Sequence, residues 1–255
     1  MTNLPAQKTF AQRSDAYAQA RPRYPRELYD WLVSRSPGRE AVWDCATGNG
    51  QAAVDLAPYF SRVEATDISA EQVGEGLTQP NIHYTVQPAE RTTFAESSFD
   101  LITVAQALHW FDFSRFWPEV TRVARPDAFF CAWGYAWFDC DPSVNADLVE
   151  PVRALIEPYW AANNRLLWRG YRSEEIAFPF ERLEAPSMSI RAQWTVDQLI
   201  GYMQTWSSYK RASQDEKVAG SLEALVDSAR RRFAAHLPLE ITMPLEVVAG
   251  HVRKG

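Results

Sequence analysis

The stretch DCATGNGQAA, Asp44 to Ala53, sets two glycines two residues apart, Gly48 and Gly50. A short apolar run, AVWDCAT, precedes it, and a helix-like segment, GQAAVDLAPYF, follows. Glycine adopts positive φ without steric cost and lets another group approach the backbone closely. Asn49, between the two, tolerates left-handed geometry better than most residues. A buried strand, a glycine turn and a helix in that order form the first unit of a doubly wound α/β sheet, and such a loop can hold a nucleotide.

The same rhythm continues outward. RVEATDIS reads as a second strand ending at Asp67, with Ser69 and Gln72 fitting a capping box for the next helix. NIHYTVQPAE reads as a third strand, broken by Pro88. FDLITVAQALHW reads as a fourth, with the continuous apolar run of a strand covered on both faces. SRFWPEVTRVA is helical, its Pro118 tolerable near a first turn, and AFFCAWGYAWF is a fifth strand. Before the glycine loop, RPRYPRELYDWLVSRSPG becomes a helix with Leu28, Trp31 and Leu32 on one face. Alternation of strand and helix implies a parallel sheet with right-handed crossovers. Beyond residue 137 the rhythm changes. Residues near 143–163 look helical, and NNRLLWRGYRSEEIAFPF looks irregular. FERLEAPSMSIRAQWT resembles a strand region. Thr195 with Gln198 caps a helix through VDQLIGYMQTWSSY, and Ser213 with Glu216 caps a longer one through SLEALVDSARRRFAAH. LEITMPLEVVAGHVRK closes the chain as a strand. No clean linker interrupts 1–255. The expectation is one domain, with 1–26 as an N-terminal lid segment and 140–180 as an inserted cap over the acceptor site.

Composition narrows the class. The 255-residue chain carries a net charge of −6 and a pI near 5.3, which argues against a nucleic-acid or anionic-membrane partner. No apolar stretch approaches the roughly 18–20 residues that span a bilayer, and the first residues lack a signal-peptide pattern. Cys45, Cys131 and Cys140 form neither a CxxC pair nor a metal-like cluster, as expected of reduced thiols in a cytoplasmic protein.

Ligands of doubly wound sheets bind beyond the carboxyl ends of the strands. The loop 46–50, Asp67, Pro88 to Glu90 and Gln106 to Trp110 therefore share one rim. Two readings fit it. GNGQAA matches a loose G-x-G-x-x-A dinucleotide fingerprint, which would make the chain an NAD(P)-dependent oxidoreductase. A D-x-x-x-G-x-G run, an acid ending the second strand, then PAE and SFDLI, resembles instead a class I S-adenosylmethionine-dependent methyltransferase. Within that superfamily RSDAYAQARPRYP, VAQALHWFD and TWSSY look like the small-molecule, trans-aconitate methyltransferase-like group. A phosphate loop would want lysine or serine after its glycines, where this one has Gln51 and Ala52.

The resemblance implies a Rossmann-like, mostly parallel seven-stranded sheet with an antiparallel C-terminal strand. It implies S-adenosyl-L-methionine as cofactor, S-adenosyl-L-homocysteine as product and a small-molecule acceptor, with a carboxylate expected from the group resemblance. A cofactor-binding protein without catalysis is the remaining alternative. Cofactor contacts are assigned to Tyr17, Arg21, Asp44, Ala46, Gly48, Gly50, Asp67, Ile68, Ala89, Glu90 and Gln106. Asp67 suits ribose hydroxyls; Asp44 would orient the loop or the methionine amino group; Arg13, Tyr17, Arg21 or Arg23 would hold a carboxylate. The family usually has glycine where Ala46 stands and often aspartate where Pro88 stands. Alanine there calls for a negative φ or a slightly withdrawn cofactor. Trp110, Trp137, Trp206 and Tyr209 are assigned to the acceptor, and His109 is either a general base or a histidine bonded structurally.

Overall fold

The computed structural model describes residues 22–233 and 238–253. The chain groups into two compact units. The larger holds residues 24–137, 163–189 and the end of the chain from Pro244; the smaller is built chiefly from 138–162 and 190–243. The segment 140–180 is thus divided between the two.

In the larger unit six strands form one sheet. They are β1 (Ala41–Cys45), β2 (Arg62–Asp67), β3 (Ile82–Val86), β4 (Phe99–Ala105), β5 (Ala124–Gly134) and the last strand, Glu246–His251. The order is β3, β2, β1, β4, β5, last strand; the first five are parallel, and the last runs antiparallel to β5. Strand order reverses between β1 and β4, the switch point beyond which doubly wound sheets hold ligands. Six strands stand where seven were expected. The segments Ser189–Trp194 (β6) and Leu239–Pro244 (β7) pair with each other in a separate two-stranded sheet, and the last strand, β8, starts two residues beyond β7.

Both faces of the sheet are covered, which is why β1 and β4 read as unbroken apolar runs. Val42, Leu101, Phe129, Cys131 and Trp133 lie in one core with Leu28, Tyr29 and Leu32 of α1 (Arg26–Arg35) and Ala52, Ala53 and Leu56 of α2 (Gln51–Leu56). Trp31 packs partly buried against the same core. Trp43, Cys45, Ile102, Val104, Phe130 and Ala132 lie in the other. There they meet Phe116, Trp117, Val120 and Val123 of α4 (Phe113–Val123), which follows the short α3 (Ala70–Gly74). Strand residues alternate between the two cores with the period of two that the pleat imposes. Pro118 lies inside α4, past its first turn; the helix starts earlier than the sequence suggested because the Asp112 side chain caps it at the Ser114 N–H (3.0 Å).

In the smaller unit helical residues run from Pro142 into α5 (Glu150–Ile156). The larger unit then adds α6 (Asn164–Trp168), and the smaller adds α7 (Val196–Gln204), α8 (Ser207–Ala212) and α9 (Glu216–Phe233). Thr195 and Gln198 form the expected capping box. The helix expected to run on through Tyr209 breaks at Trp206, whose backbone is extended. Asp215, not Ser213, caps α9: its carboxylate accepts the Lys217 N–H at 3.0 Å, while the Ser213 hydroxyl donates to the Lys210 carbonyl. Among the described residues no helix is long and apolar enough to cross a membrane.

Away from the rim, one buried carboxylate ties the sheet. Asp100 Oδ2 accepts the N–H groups of Glu40 and Ala41 at 2.9 and 3.0 Å, and Arg125 Nη1 lies 2.9 Å from both its oxygens. The entries to β1, β4 and β5 therefore share one acceptor. Breaking a buried charged hydrogen bond leaves its donors unmatched. We expect Asp100→Ala to lower unfolding free energy by roughly 3 kcal/mol, partly tempered by the solvent access of Arg125. Urea denaturation checks this; a loss below about half a kcal/mol would contradict it.

Candidate active site

The glycine loop is held from three sides. Its own tight turn places the Gly50 N–H 3.0 Å from the Thr47 carbonyl, and Gly48 and Gly50 take φ of 59° and 89°. Gly50 must lack a side chain for a reason internal to the protein. A Cβ there would fall 1.9 Å from the Tyr84 hydroxyl oxygen. Tyr84, on β3, donates that hydroxyl to the Leu77 carbonyl at 2.8 Å, and the Leu77 N–H in turn reaches the Asn49 carbonyl at 3.0 Å.

The second side is Asp44. Its carboxylate is buried at the end of β1 and accepts hydroxyl donors from Thr47 (2.5 Å) and Thr103 of β4 (2.9 Å), as well as the Ala53 N–H. Burial pushes its pKa up to about 6, and the hydrogen bonds only partly offset the loss of solvation. Asp44 therefore orients the loop.

Asp67 supplies the third side. One carboxylate oxygen accepts the Gly48 N–H and the other the Ser69 N–H, both at 2.9 Å. Ser69, not Asp67, caps α3, its hydroxyl accepting the Gln72 N–H. A carboxylate has about four acceptor positions, so two bonds leave room for two more. Ile68 next to it is 78% exposed, and Val86 at the end of β3 is exposed too. A partly open carboxylate, a close-approach glycine backbone and bare apolar side chains fit the ribose and flat base of S-adenosylmethionine.

Ala46 departs from expectation. Its φ is +54°, in the left-handed region where alanine lacks the freedom of glycine. Across the switch point Gln106, just after β4, also has positive φ, +58°. Its N–H donates to the Trp133 carbonyl (2.8 Å) and its amide to the Tyr135 carbonyl (3.1 Å), so the turn out of β4 is tied to β5. Ala89 is buried in the core, and Glu90 accepts the Asp112 N–H at 3.1 Å, ahead of α4.

His109 lies in a short 3₁₀ turn, Leu108–Trp110, and is buried; its Nδ1 sits 2.9 Å from the Tyr171 hydroxyl. Burial lowers its pKa to about 4. Trp110 is the rim aromatic left open, 54% exposed. Trp137 is half-buried against Trp168, whereas Trp133 and Tyr135 are buried. Trp206 packs in the smaller unit on Phe138, Trp160 and Tyr202, and Tyr209 is buried in that unit. Arg13, Tyr17 and Arg21 lie outside the described residues; Arg23 is exposed. Sequence reasoning passed over Tyr84, Thr103 and Tyr171. Thr103, a polar residue inside an apolar strand, was the one signal available.

Comparison with known proteins bears on this geometry. Residues 43–132 match the family described as Methyltransferase domain. A Dictyostelium discoideum protein that carries the methyltransferase name is 30% identical over 204 residues, covering 78% of this chain and 77% of its own. A solved structure named as a type II methyltransferase, from Anaeromyxobacter dehalogenans, is 38% identical with a TM-score of 0.83, covering 92% of this chain and 99% of that one. The chain belongs to the class I S-adenosylmethionine-dependent methyltransferases. That sets aside the oxidoreductase reading and makes S-adenosylmethionine the cofactor. A Bacillus subtilis protein, 20% identical at a TM-score of 0.53 over 91% of this chain and all of its own, shares the fold.

Two measurements probe the loop. A carboxyl group whose folded pKa is raised stabilises the fold when protonated. The benefit is complete below the unfolded value near 3.9 and is lost as pH rises through about 6. The amide that Asp44→Asn puts in its place does not titrate. The stability difference, Asp44→Asn minus parent, should therefore rise by roughly 2–3 kcal/mol between about pH 4 and pH 7.5 in denaturant titrations. A flat difference would mean that Asp44 titrates normally. For Ala46→Gly, relief of left-handed strain of about 1–2 kcal/mol outweighs the greater unfolded-state entropy of glycine, about 0.4–1 kcal/mol. The variant should gain a degree or more in Tm, and a lower Tm would contradict the strain.

Proposed function

We propose that this chain transfers the methyl group of S-adenosylmethionine to a small organic acceptor, with a carboxylate oxygen as the accepting atom. One observation carries the cofactor half: the Asp67 carboxylate, anchored to the Gly48 and Ser69 amides, stands beside the exposed Ile68. In this reading Asp67 takes the ribose hydroxyls. Ile68 packs on the adenine, and the backbone from Ala46 to Gly50 lines the chain between sulfur and ribose. Ala89 and Glu90 border the base, and Gln106 borders the methionine end. When bound, the cofactor supplies a methyl group on a positively charged sulfonium. The protein's part is to align the acceptor and keep water out. Trp110 and Trp137 are assigned to that wall.

The carboxylate rests on group resemblance and on His109. A hydroxyl or ammonium acceptor must lose a proton, and a base helps most when its pKa lies near the working pH. His109 lies well below that range, with Nδ1 engaged. A carboxylate, ionised above about pH 4, needs no base.

The direct test offers the enzyme S-adenosylmethionine with a labelled methyl group and a panel of small carboxylic acids. A methyl ester formed together with S-adenosylhomocysteine supports the reading. Label on an amine or hydroxyl acceptor would overturn the carboxylate, and cofactor binding without turnover across a broad panel would favour a binding protein. Two variants sharpen it. Asp67→Ala should weaken S-adenosylhomocysteine binding about tenfold to a few hundredfold by calorimetry, since each charge-assisted bond is worth roughly 1.5–3 kcal/mol. Unchanged affinity in a folded variant would remove Asp67 from the ribose. His109→Ala should hold turnover within roughly tenfold of the parent, the loss coming from positioning. A thousandfold drop with loss of a rate limb near pH 6–7 would make His109 a base.

A further inference from the structure

Tyr171 is strained, fully buried and fastened at both ends. It follows α6, whose C-terminus closes with the Gly170 N–H on the Leu167 carbonyl (2.8 Å) and the Tyr171 N–H on the Leu166 carbonyl (2.9 Å), the paired bonds of a Schellman turn. Gly170 supplies the left-handed residue that this turn needs, φ +71°; Tyr171 then adds a second, φ +49°, a conformation a tyrosine rarely adopts. Arg182 secures it, one guanidinium nitrogen donating to the Tyr171 carbonyl (2.8 Å), the other to the carbonyls of Gly170 (3.2 Å) and Val247 of β8 (3.0 Å). Such strain persists only where surrounding contacts over-determine it, and it gathers at functional sites. Here it delivers a single polar atom, the hydroxyl 2.9 Å from His109 Nδ1.

We propose that Tyr171 is a positioning residue for the methyl transfer: its hydroxyl donates to His109 Nδ1 and so holds the imidazole as its Nε2–H tautomer, a hydrogen-bond donor at the rim rather than a general base. The direction of the bond follows from chemistry. In the neutral ring one nitrogen donates and the other accepts. A phenol O–H is a stronger donor than an imidazole N–H, and a bare imidazole nitrogen is a stronger acceptor than a phenol oxygen. Burial keeps both groups uncharged, raising the tyrosine and lowering the histidine. The proton of His109 then resides on Nε2, beside the exposed Trp110 in the same turn. A neutral N–H donor in this place suits an acceptor that arrives with a lone pair already free, an anionic oxygen above all. It does not suit one that must first surrender a proton. The inference rests on the reading of this rim as the site of methyl transfer, and it deepens the carboxylate assignment.

The test is the nitrogen-15 spectrum of the histidine-labelled full chain, with the His109 signals identified by their loss in His109→Gln. Two-bond couplings to the ring protons distinguish the tautomers. The expected result is a neutral ring at pH 7 with Nε2 protonated and Nδ1 bare. Tyr171→Phe, which keeps the ring and removes only the donor, should shift Nδ1 and mix the two tautomers. An Nδ1–H tautomer in the parent, a charged ring at pH 7, or an unchanged spectrum in the phenylalanine variant would each overturn the proposal. The parent spectrum alone decides the tautomer if that variant fails to fold. Calorimetric titration of the same sample with S-adenosylhomocysteine tests the underlying reading separately: failure to bind would remove the rim assignment while leaving the tautomer standing.

Discussion

A carboxylate buried at the end of the central strand is the constraint on which the rim depends. Isolated in the core, an ionised Asp44 would cost several kcal/mol. Two threonine hydroxyls and a helix-start amide make it tolerable, and each belongs to a different piece of backbone. Thr47 is the loop, Thr103 is β4 and Ala53 is α2. Satisfying one expensive group therefore fixes the mutual position of three elements at the switch point. The neighbouring Asp67 repeats the device at the edge of solvent, where it keeps spare acceptor positions. The two acids divide the work between them: the buried one builds the loop and the open one remains available to a ligand.

Backbone conformation tells the same story from the other side. Ala46 and Gln106 leave β1 and β4 in left-handed geometry, and β1 and β4 are adjacent. A chain leaving a strand in that conformation turns sharply, so both loops rise where the strand order opens. Non-glycine residues bear about 1–2 kcal/mol of strain each to do so. Interactions nearby offset it: the Asp44 and Asp67 bonds for the glycine loop, the Trp133 and Tyr135 carbonyls for Gln106. Gly50 adds a different lesson. Its missing side chain makes room for the Tyr84 hydroxyl, which braces the loop from β3.

Much of this was legible in the sequence because it is local. The five parallel strands, the Ser69 and Thr195 caps and the acid ending β2 follow from periodicity and from side chains that bond within three residues. What was not legible depends on distant pairing. Between the end of β6 at Trp194 and the start of β7 at Leu239 lie 44 residues, and nothing in either strand says that it will pair with the other and leave the main sheet with six strands. Asp215 rather than Ser213 caps α9, since both are good caps and the choice turns on where Ser213 finds another acceptor. The positive φ of Ala46 was hidden for a related reason. Alanine carries no sign of strain, and only the assembled loop imposes it. Nor does the sequence show that the Tyr171 hydroxyl, 62 residues later, meets the His109 ring.

The opposite shifts of Asp44 and His109 have one cause. Burial raises the acid and lowers the base, in each case favouring the uncharged form. Asp44, at the end of β1, and His109, in the turn after β4, are both buried, and that burial matters for the chemistry proposed. A sulfonium and a carboxylate lose their opposite charges together as the methyl group moves, so the transition state is less charged than the reactants. Water stabilises the separated ions most and thereby slows such a reaction. In the proposed reaction, rim side chains that exclude water would withhold that stabilisation, and a neutral donor such as His109 Nε2–H would orient the oxygen without adding a countercharge that would hold it back. On this argument a protonated histidine at the same position would bind the acceptor more tightly and transfer to it more slowly. In the proposed reaction the burial of His109 would serve the rate as well as the packing.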